Sequence, residues 1–199
     1  MSFVQENLYG LVLAGGRSRR LGRDKATLVY KGQLQLDRSI GVLKRYTEEV
    51  HISVREDQEY TVGADPIIDR MGEIGPLGGL LSAFFYHRDK DWLALGVDMP
   101  FVNVFTIKEL IAARDPDKLA TCFRAADGRP EPLCTIYENR FKDKLLAAAK
   151  AGERSPKNIL FENADEVKMV DIKDLSSLDC VVTAEDYLAA QTRLVGGGR

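Results

Sequence analysis

The chain has 199 residues, of which 45% are hydrophobic and 29% are charged, and its formal net charge is −2. This size and composition predict one globular domain over residues 1–195 with a substantial core, followed by a flexible tail at 196–199. The small net charge argues against general binding of nucleic acid or of a membrane surface, and no apolar run is long enough to span a membrane.

Apolar runs typical of strands alternate with segments of helical period along the chain. The predicted strands cover residues 8–13, 50–54, 66–69, 92–97, 119–123, 133–137 and 166–170. The predicted helices cover residues 36–50, 80–87, 104–114, 140–151 and 184–194. This order predicts a three-layer α/β/α sandwich around a mainly parallel, Rossmann-like sheet. Ligands of such sheets bind beyond the carboxyl ends of the strands, where the strand order reverses.

A glycine-rich basic loop follows the first predicted strand. Gly15 and Gly16 let the backbone turn sharply and approach a ligand closely. Basic side chains then follow within ten residues, at Arg17, Arg19, Arg20, Arg23 and Lys25. Glycines, backbone amides and cations are what a polyphosphate requires, although the spacing is neither that of a P-loop nor that of a dinucleotide fingerprint. The loop is therefore predicted to bind a triphosphate, and the alternative is a basic surface loop.

Acidic side chains end two further predicted strands. Asp98 follows an almost wholly apolar run and is the candidate ligand for Mg²⁺, which often binds one or two carboxylates together with substrate phosphates. The alternative role of Asp98 is to cap the next helix. Asp69 either contacts the nucleotide or the metal, or starts the turn that follows it.

Two more groups have predicted roles at the same edge of the sheet. Lys25 is the predicted phosphate clamp, and Arg20 has a similar claim as a second cation. The segment Gly-Pro-Leu-Gly-Gly at residues 75–79 places backbone amides at a helix start, where a planar base could lie against them. The alternative for this segment is close packing of the helix on the sheet.

Groups that other reactions require are missing from the sequence. His51 and His87 are interpreted as structural, and no Ser/His/Asp or Cys/His set is recognisable. The three isolated cysteines at 122, 134 and 180 are typical of reduced thiols in a cytoplasmic protein rather than of a metal site. Nucleotidyl transfer to a phosphate needs no base, because the attacking group is already ionised at neutral pH.

The chain is similar to the molybdenum cofactor guanylyltransferase (MobA) family from about residue 8 to residue 190. The similarity rests on five segments in order, LAGGRSRRLGRDK at 13–25, GPLGGL at 75–80, DMPF at 98–101, EPL at 131–133 and GERSP at 152–156. This family transfers GMP from MgGTP to the terminal phosphate of molybdopterin and releases pyrophosphate. The resemblance implies a fold of the nucleotide-diphospho-sugar transferase type.

The resemblance also implies site residues and partners. The implied nucleotide-binding residues are Leu13, Ala14, Gly15, Gly16, Lys25, Ser53, Asp69, Gly78 and Asp98. Lys25, Asp98 and Arg20 are expected to be catalytic, with Mg²⁺ on Asp98, and Arg154 is expected to bind the acceptor. The expected partners are GTP, molybdopterin or the molybdenum cofactor, and other cofactor-biosynthesis proteins. The expected state is a cytoplasmic monomer or weak homo-oligomer.

The acceptor end of the site departs from the family pattern. Cys180 and Val182 replace both residues of a late Asn-x-Asn segment, and Ser53 stands where some members have Asn. Two alternatives therefore remain beside the guanylyltransferase. One is an NTP transferase of another specificity, for a cytidylyl group or a sugar phosphate, and the other is a non-catalytic nucleotide-binding relative.

Overall fold

The computed structural model describes residues 4–16, 21–60, 62–72 and 74–196. Within them the strands are β1 (Leu8–Leu13), β2 (Val29–Tyr30), β3 (Gln33–Leu34), β4 (Val50–Val54), β5 (Asp65–Ile68), β6 (Asp91–Gly96), β7 (Ala120–Arg124), β8 (Pro130–Tyr137) and β9 (Val167–Val170). Seven of these strands form one sheet in the order β5-β4-β1-β6-β8-β7-β9, and β2 pairs with β3 in a separate hairpin.

The main sheet is mostly parallel. Only β8 runs against its neighbours β6 and β7, whereas the other pairs in the sheet are parallel. Leu13 at the end of β1 lies opposite Ser53 of β4 on one side and Gly96 of β6 on the other. The chain moves outward from β1 to β4 and β5 and then returns to the other side of β1 with β6. The carboxyl ends of these strands therefore meet at a switch point of the kind that binds ligands.

Helices cover both faces of the sheet. The described helices are α1 (Gln35–Leu43), α2 (Pro76–Tyr86), α3 (Val104–Ala112), α4 (Lys142–Lys150), α5 (Pro156–Glu162) and α6 (Ala184–Gly196). Helix α6 packs in a third, smaller cluster with Leu28 and Tyr30. One apolar cluster joins α1 and α3 to one face, and a second joins α2, α4 and α5 to the other. This arrangement confirms the predicted α/β/α sandwich. None of the described helices is long and apolar enough to cross a membrane.

The apolar strand β1 supplies both clusters. Its side chains alternate between the faces, so Leu8 and Val12 pack in one cluster while Tyr9 and Leu11 pack in the other. A parallel strand with helices on both faces must be apolar at nearly every position, which is why this run was recognisable from the sequence.

Some boundaries differ from the predicted ones. Helix α1 ends at Leu43 rather than at residue 50. The N–H of Tyr46 closes a tight turn onto the Leu43 carbonyl oxygen at 2.9 Å, and the N–H of Glu48 then bonds to the carbonyl oxygen of Leu8 at 3.0 Å. Helix α5 was not among the predicted helices, and its start is fixed by the Ser155 hydroxyl, which caps it, and by Pro156 in its first turn. Helix α6 includes Gly196, and the remaining tail residues lie outside the described residues.

Candidate active site

A cavity of about 650 Å³ opens at the carboxyl ends of β1, β4, β5 and β6. This volume is within the range of pockets for small molecules. Its wall includes eight residues that the sequence analysis selected, namely Leu13, Ala14, Gly15, Gly16, Lys25, Ser53, Asp69 and Asp98. The wall also contains residues 55–57, 72, 75, 76, 79, 96, 97, 133 and 182. The structure thus brings together groups that are spread over most of the chain.

The described part of the glycine loop is tied to the chain that follows β4. The N–H of Ala14 donates to the carbonyl oxygen of Ser53 at 3.0 Å, which continues the pairing of β1 with β4. The Arg55 guanidinium donates to the carbonyl oxygen of Gly15 at 2.7 Å, and the Gln58 amide donates to that of Ala14 at 3.4 Å. Arg55 and Gln58 therefore fix the loop backbone where it leaves β1, a role that the sequence analysis missed.

Asp24, next to the predicted phosphate clamp, has a structural role. One of its carboxylate oxygens accepts the N–H of Ala26 at 2.9 Å and caps the short 3-10 turn that begins at Lys25. The other accepts hydrogen bonds from the Gln58 amide at 3.2 Å and from the Tyr60 hydroxyl. Burial, together with the Asp24 carboxylate, raises the pKa of Tyr60 well above its usual value. These contacts hold the backbone that carries Lys25.

Lys25 and Asp98 meet at the cavity. Lys25 Nζ lies 3.0 Å from Asp98 Oδ2, and the two side chains are 18% and 20% exposed. Asp98 does not cap α3, because the Asn103 side chain accepts the N–H groups of the first turn of that helix. The capping alternative is therefore wrong, and the Asp98 carboxylate is available to the cavity.

Asp69 lies on the cavity wall just after β5. Its Oδ1 accepts the N–H of Met71 at 2.9 Å and the hydroxyl of Ser82 at 3.3 Å. The first of these bonds starts the turn after β5, so Asp69 also has the structural role that was its predicted alternative. Burial raises the pKa of Asp69, and these two hydrogen bonds oppose that shift. The carboxylate is consequently fixed against α2 with an edge toward the cavity.

Helix α2 begins at Pro76, so the Gly-Gly pair of the GPLGG segment lies inside its first turns. A Cβ atom added at Gly78 would lie 2.5 Å from Asp69 Oδ2, and one added at Gly79 would lie 2.2 Å from Ser53 Oγ. Both distances are shorter than any van der Waals contact allows. The absence of a Cβ atom at Gly78 and Gly79 therefore lets α2 approach the ends of β4 and β5. Gly78 packs against the Asp69 carboxylate and is not one of the residues that line the cavity.

Replacing Gly79 with Ala is expected to lower the free energy of unfolding by about 1–3 kcal/mol, because the methyl group would overlap the buried Ser53 side chain. Urea denaturation measures the change. Gly41→Ala is the matched control, since a Cβ atom there meets nothing within 4 Å and alanine stabilises a helix. Adding Ser53→Ala to Gly79→Ala should recover part of the loss. Wild-type stability of Gly79→Ala would contradict the close approach of α2.

The segment that departs from the family pattern passes next to Asp98. The N–H of Val181 donates to the Asp98 carbonyl oxygen at 2.8 Å, and Val182 is part of the cavity wall. Cys180 as a residue is exposed, but its Sγ atom is partly buried beside the Leu178 carbonyl oxygen, and this burial, with Asp98 and Glu131 adding to it, raises the pKa of the thiol to about 12. The thiol is therefore protonated at neutral pH and is not an activated nucleophile.

Glu131 is a second carboxylate near Asp98. It lies at the start of β8, where its Oε1 accepts the N–H of Leu133 at 2.9 Å. Burial raises the pKa of Glu131, and the Asp98 carboxylate acts in the same direction. The sequence analysis noted Glu131 only as part of the EPL segment. Its position became apparent only from the antiparallel pairing of β8 with β6.

Three predicted site residues are not placed in the cavity wall, namely Gly78, Arg154 and Arg20. Arg154 is exposed just before α5, with its N–H donating to the side chain of Glu153 at 2.7 Å. Arg20 lies outside the described residues. Arg154 therefore lies apart from the described cavity wall, and its predicted role toward the acceptor stays a prediction.

A mainly parallel sheet with a glycine loop, a lysine and an aspartate at one switch-point cavity defines a ligand-binding protein of the α/β class. The pattern of the MobA-like NTP transferase domain matches residues 10–167, and the chain belongs to this family. The family and the fold type inferred from the five sequence segments are thereby confirmed.

Individual relatives agree with this assignment. A Mycobacterium ulcerans protein named "Probable molybdenum cofactor guanylyltransferase" is 33% identical over 190 residues, or 92% of each chain. A Synechocystis "Molybdenum cofactor biosynthesis bifunctional protein" is 33% identical over 188 residues, and this chain spans about half of it, 53%. The structure of molybdopterin-guanine dinucleotide biosynthesis protein A from Archaeoglobus fulgidus has the same fold. Its TM-score is 0.78 at 21% identity, over 94% of this chain and 99% of that one.

Proposed function

We propose that the protein transfers GMP from GTP to the terminal phosphate of molybdopterin, or of its molybdate-loaded form, and releases pyrophosphate in the cytoplasm. The single observation that carries this proposal is the meeting of Lys25 and Asp98, 3.0 Å apart, beside the glycine loop at one cavity. A cation, a carboxylate and backbone amides at one point are the groups that a metal–nucleotide complex requires. The names of the relatives support guanine and molybdopterin as the two halves of the product.

Lys25 and the glycine loop are proposed to hold the triphosphate. The Lys25 ammonium lies at the cavity wall with its backbone held by Asp24, so its charge is positioned before the nucleotide arrives. Gly15 and Gly16 follow β1 without side chains that would keep phosphates away from the backbone. Positioning and charge neutralisation are the main sources of catalysis in phosphoryl transfer.

The cavity residues also fit a divalent metal ion, for which we propose Mg²⁺ on Asp98. The carboxylates of Asp98 and Asp69 both belong to the cavity wall, so hard oxygen atoms are concentrated there. Such oxygens are the ligands that Mg²⁺ prefers. When bound with the nucleotide, Mg²⁺ would neutralise charge on the phosphates and on the departing pyrophosphate.

The reaction balances without a general base. An oxygen of the acceptor phosphate forms a bond to the α-phosphorus of GTP while the bond from that phosphorus to its β-bridging oxygen breaks, and pyrophosphate leaves with the electron pair. A phosphate monoester is largely doubly ionised at pH 7, since its second pKa is about 6. None of the described residues that line the cavity is a histidine, as this chemistry allows.

The acceptor is proposed to bind toward Arg154. Lys157 of α5 pairs with Asp127 in the turn after β7 at 2.6 Å, so the start of α5 lies at the same edge of the sheet as the cavity. Arg154 directly precedes this helix and offers an exposed cation to an anionic acceptor. Because Val182 is apolar where the family has Asn, acceptor recognition here depends more on such cations.

The direct test is transfer of radiolabelled α-phosphate from GTP to molybdopterin by the purified chain with Mg²⁺. We expect a labelled dinucleotide and an equal amount of pyrophosphate with GTP, and little of either with CTP or ATP. Faster transfer from CTP would establish the cytidylyl alternative. Tight GTP binding without transfer to molybdopterin would contradict the proposed reaction and favour another acceptor or a non-catalytic relative.

A further inference from the structure

Glu49, His51 and His87 come together at the edge of the sheet opposite the nucleotide cavity. Glu49 directly precedes β4, His51 is the second residue of that strand, and His87 follows the last residue of α2. One donor atom from each lies within 4.8 Å of the other two, and the described part of the chain contains no other such group of three. The set contains two imidazoles and one carboxylate.

A second observation is that buried imidazole nitrogens in this group lack partners. His51 is only 3% exposed, yet its Nδ1 has no hydrogen bond. Its Nε2 lies 3.4 Å from Glu49 Oε2 but is not aligned for a hydrogen bond. The Nε2 atom of His87 is also buried without a partner. Buried polar atoms are nearly always paired, so this group lacks the contacts that its burial requires.

The surroundings orient the three side chains. The Tyr9 hydroxyl donates to Glu49 Oε1 at 3.2 Å, and the other carboxylate oxygen is then the one nearest to His51. The rings of Tyr9 and Trp92 pack against both imidazoles with centroids 4.9 to 5.9 Å apart.

We propose that Glu49, His51 and His87 form a binding site for a transition-metal ion such as Zn²⁺, with water as the fourth ligand. Two imidazoles and one carboxylate are a donor set typical of zinc, whereas Mg²⁺ prefers oxygen ligands alone. Tetrahedral zinc with bonds of about 2.0–2.1 Å needs donor atoms roughly 3.4 Å apart. The pair of Glu49 and His51 already has this spacing, and a small rotation of the partly exposed His87 ring would bring its nitrogen from within 4.8 Å to this distance.

Such an ion would join two separate parts of the chain. His87 follows the end of α2, whose first turns lie against the nucleotide cavity, while Glu49 and His51 belong to β4 and its approach. The ion therefore fastens the far end of α2 to the sheet. Its expected effect is on stability, and the site is independent of the proposed transferase activity.

The test uses untagged protein that has been stripped with a chelator and returned to excess Mg²⁺. Wild type is expected to bind one equivalent of Co²⁺ with the visible absorption of a four-coordinate ion, and Zn²⁺ should displace it and raise the melting temperature. Glu49→Gln and His87→Gln change side chains that are not fully buried, so both variants should fold. Each variant should weaken Co²⁺ binding by more than roughly 10–100-fold, the loss that is typical when a residue that supports a metal ligand, but does not itself bind the metal, is removed.

Two controls separate this site from others. Glu48→Gln removes a neighbouring carboxylate that pairs with Lys90, and Asp98→Asn removes the carboxylate at the nucleotide cavity. Both should keep the bound Co²⁺. Absence of stoichiometric Co²⁺ or Zn²⁺ in wild type would overturn the proposal, as would unchanged affinity in Glu49→Gln and His87→Gln. Loss of the ion in Asp98→Asn would overturn it as well, because the ion would then lie at the nucleotide cavity.

Discussion

Asp98→Asn is expected to lower kcat for guanylyl transfer by on the order of 10³-fold or more, the upper range for loss of one transition-state contact. The amide keeps the shape of the side chain but removes the negative charge proposed to hold Mg²⁺. In the presence of a chelator, GTP should bind as tightly as to wild type or more tightly, because a carboxylate no longer repels the phosphates and Lys25 is released from its ion pair. Single-turnover kinetics and titration calorimetry measure the two effects.

The ion pair between Asp127 and Lys157 supplies the matched control for Asp98→Asn. It also joins an aspartate to a lysine, at 2.6 Å, but it lies outside the cavity wall. Asp127→Asn should leave kcat within about twofold of wild type, since surface pairs of this kind contribute only about 0–1 kcal/mol to stability. Comparable losses in Asp98→Asn and Asp127→Asn would mean that Asp98 acts through stability alone.

Lys25→Met is expected to have the opposite effect on nucleotide binding. Removing the ammonium should weaken GTP binding both with and without Mg²⁺, and kcat should fall by on the order of 10²–10³-fold, as is typical when one positioned donor is lost. Met retains most of the volume and apolar length of the side chain. With a chelator present, Lys25→Met should therefore weaken GTP binding, whereas Asp98→Asn should not. This difference distinguishes a phosphate clamp from a metal ligand.

Lys157→Met provides the corresponding control, because Lys157 is a partly exposed cation paired with an aspartate away from the cavity. Its GTP affinity should match that of wild type, because the residues that line the cavity are unchanged. Unchanged GTP affinity in Lys25→Met would contradict the proposed clamp. In that case one of the arginines that follow Gly16 would be the main phosphate ligand.

Most of the cavity residues that the sequence predicted have local signals. Gly15 and Gly16 follow an apolar strand, and Asp98 follows another, so alternation of strand and helix was enough to place them at one edge of the sheet. The family resemblance added Ser53, which has no distinctive local pattern. Parallel strands that are buried on both faces are easy to recognise as apolar runs. This is why the edge of the sheet at which the cavity lies, where these strands end, was predictable.

The contacts that hold the loop could not be predicted in the same way. Arg55 and Gly15 are 40 positions apart, and their hydrogen bond exists because Leu13 pairs with Ser53 in register. Register between distant strands is not encoded in the local pattern of either strand. The charged residues after β4 therefore indicated where the strand ends, but not that Arg55 and Gln58 hold the glycine loop.

Other differences arise where a local signal was present but was read differently. Ser155 and Pro156 are a helix start, yet the sequence analysis used them only as part of the GERSP segment, so α5 was missed. The hairpin of β2 and β3 turns at Lys31 and Gly32, both with positive φ. Its strands have two residues each, which is too short for alternation to identify them.

The central claim is that GTP lies with its triphosphate between the glycine loop and Asp98. A crystal structure with Mg²⁺ and α,β-methylene GTP, in which the bond that breaks is replaced by a stable one, tests this most directly. We expect phosphate oxygens within hydrogen-bonding distance of Lys25 and a metal ion coordinated by Asp98. A fully occupied nucleotide bound elsewhere, or one whose base rather than its phosphates contacts Lys25, would contradict the account.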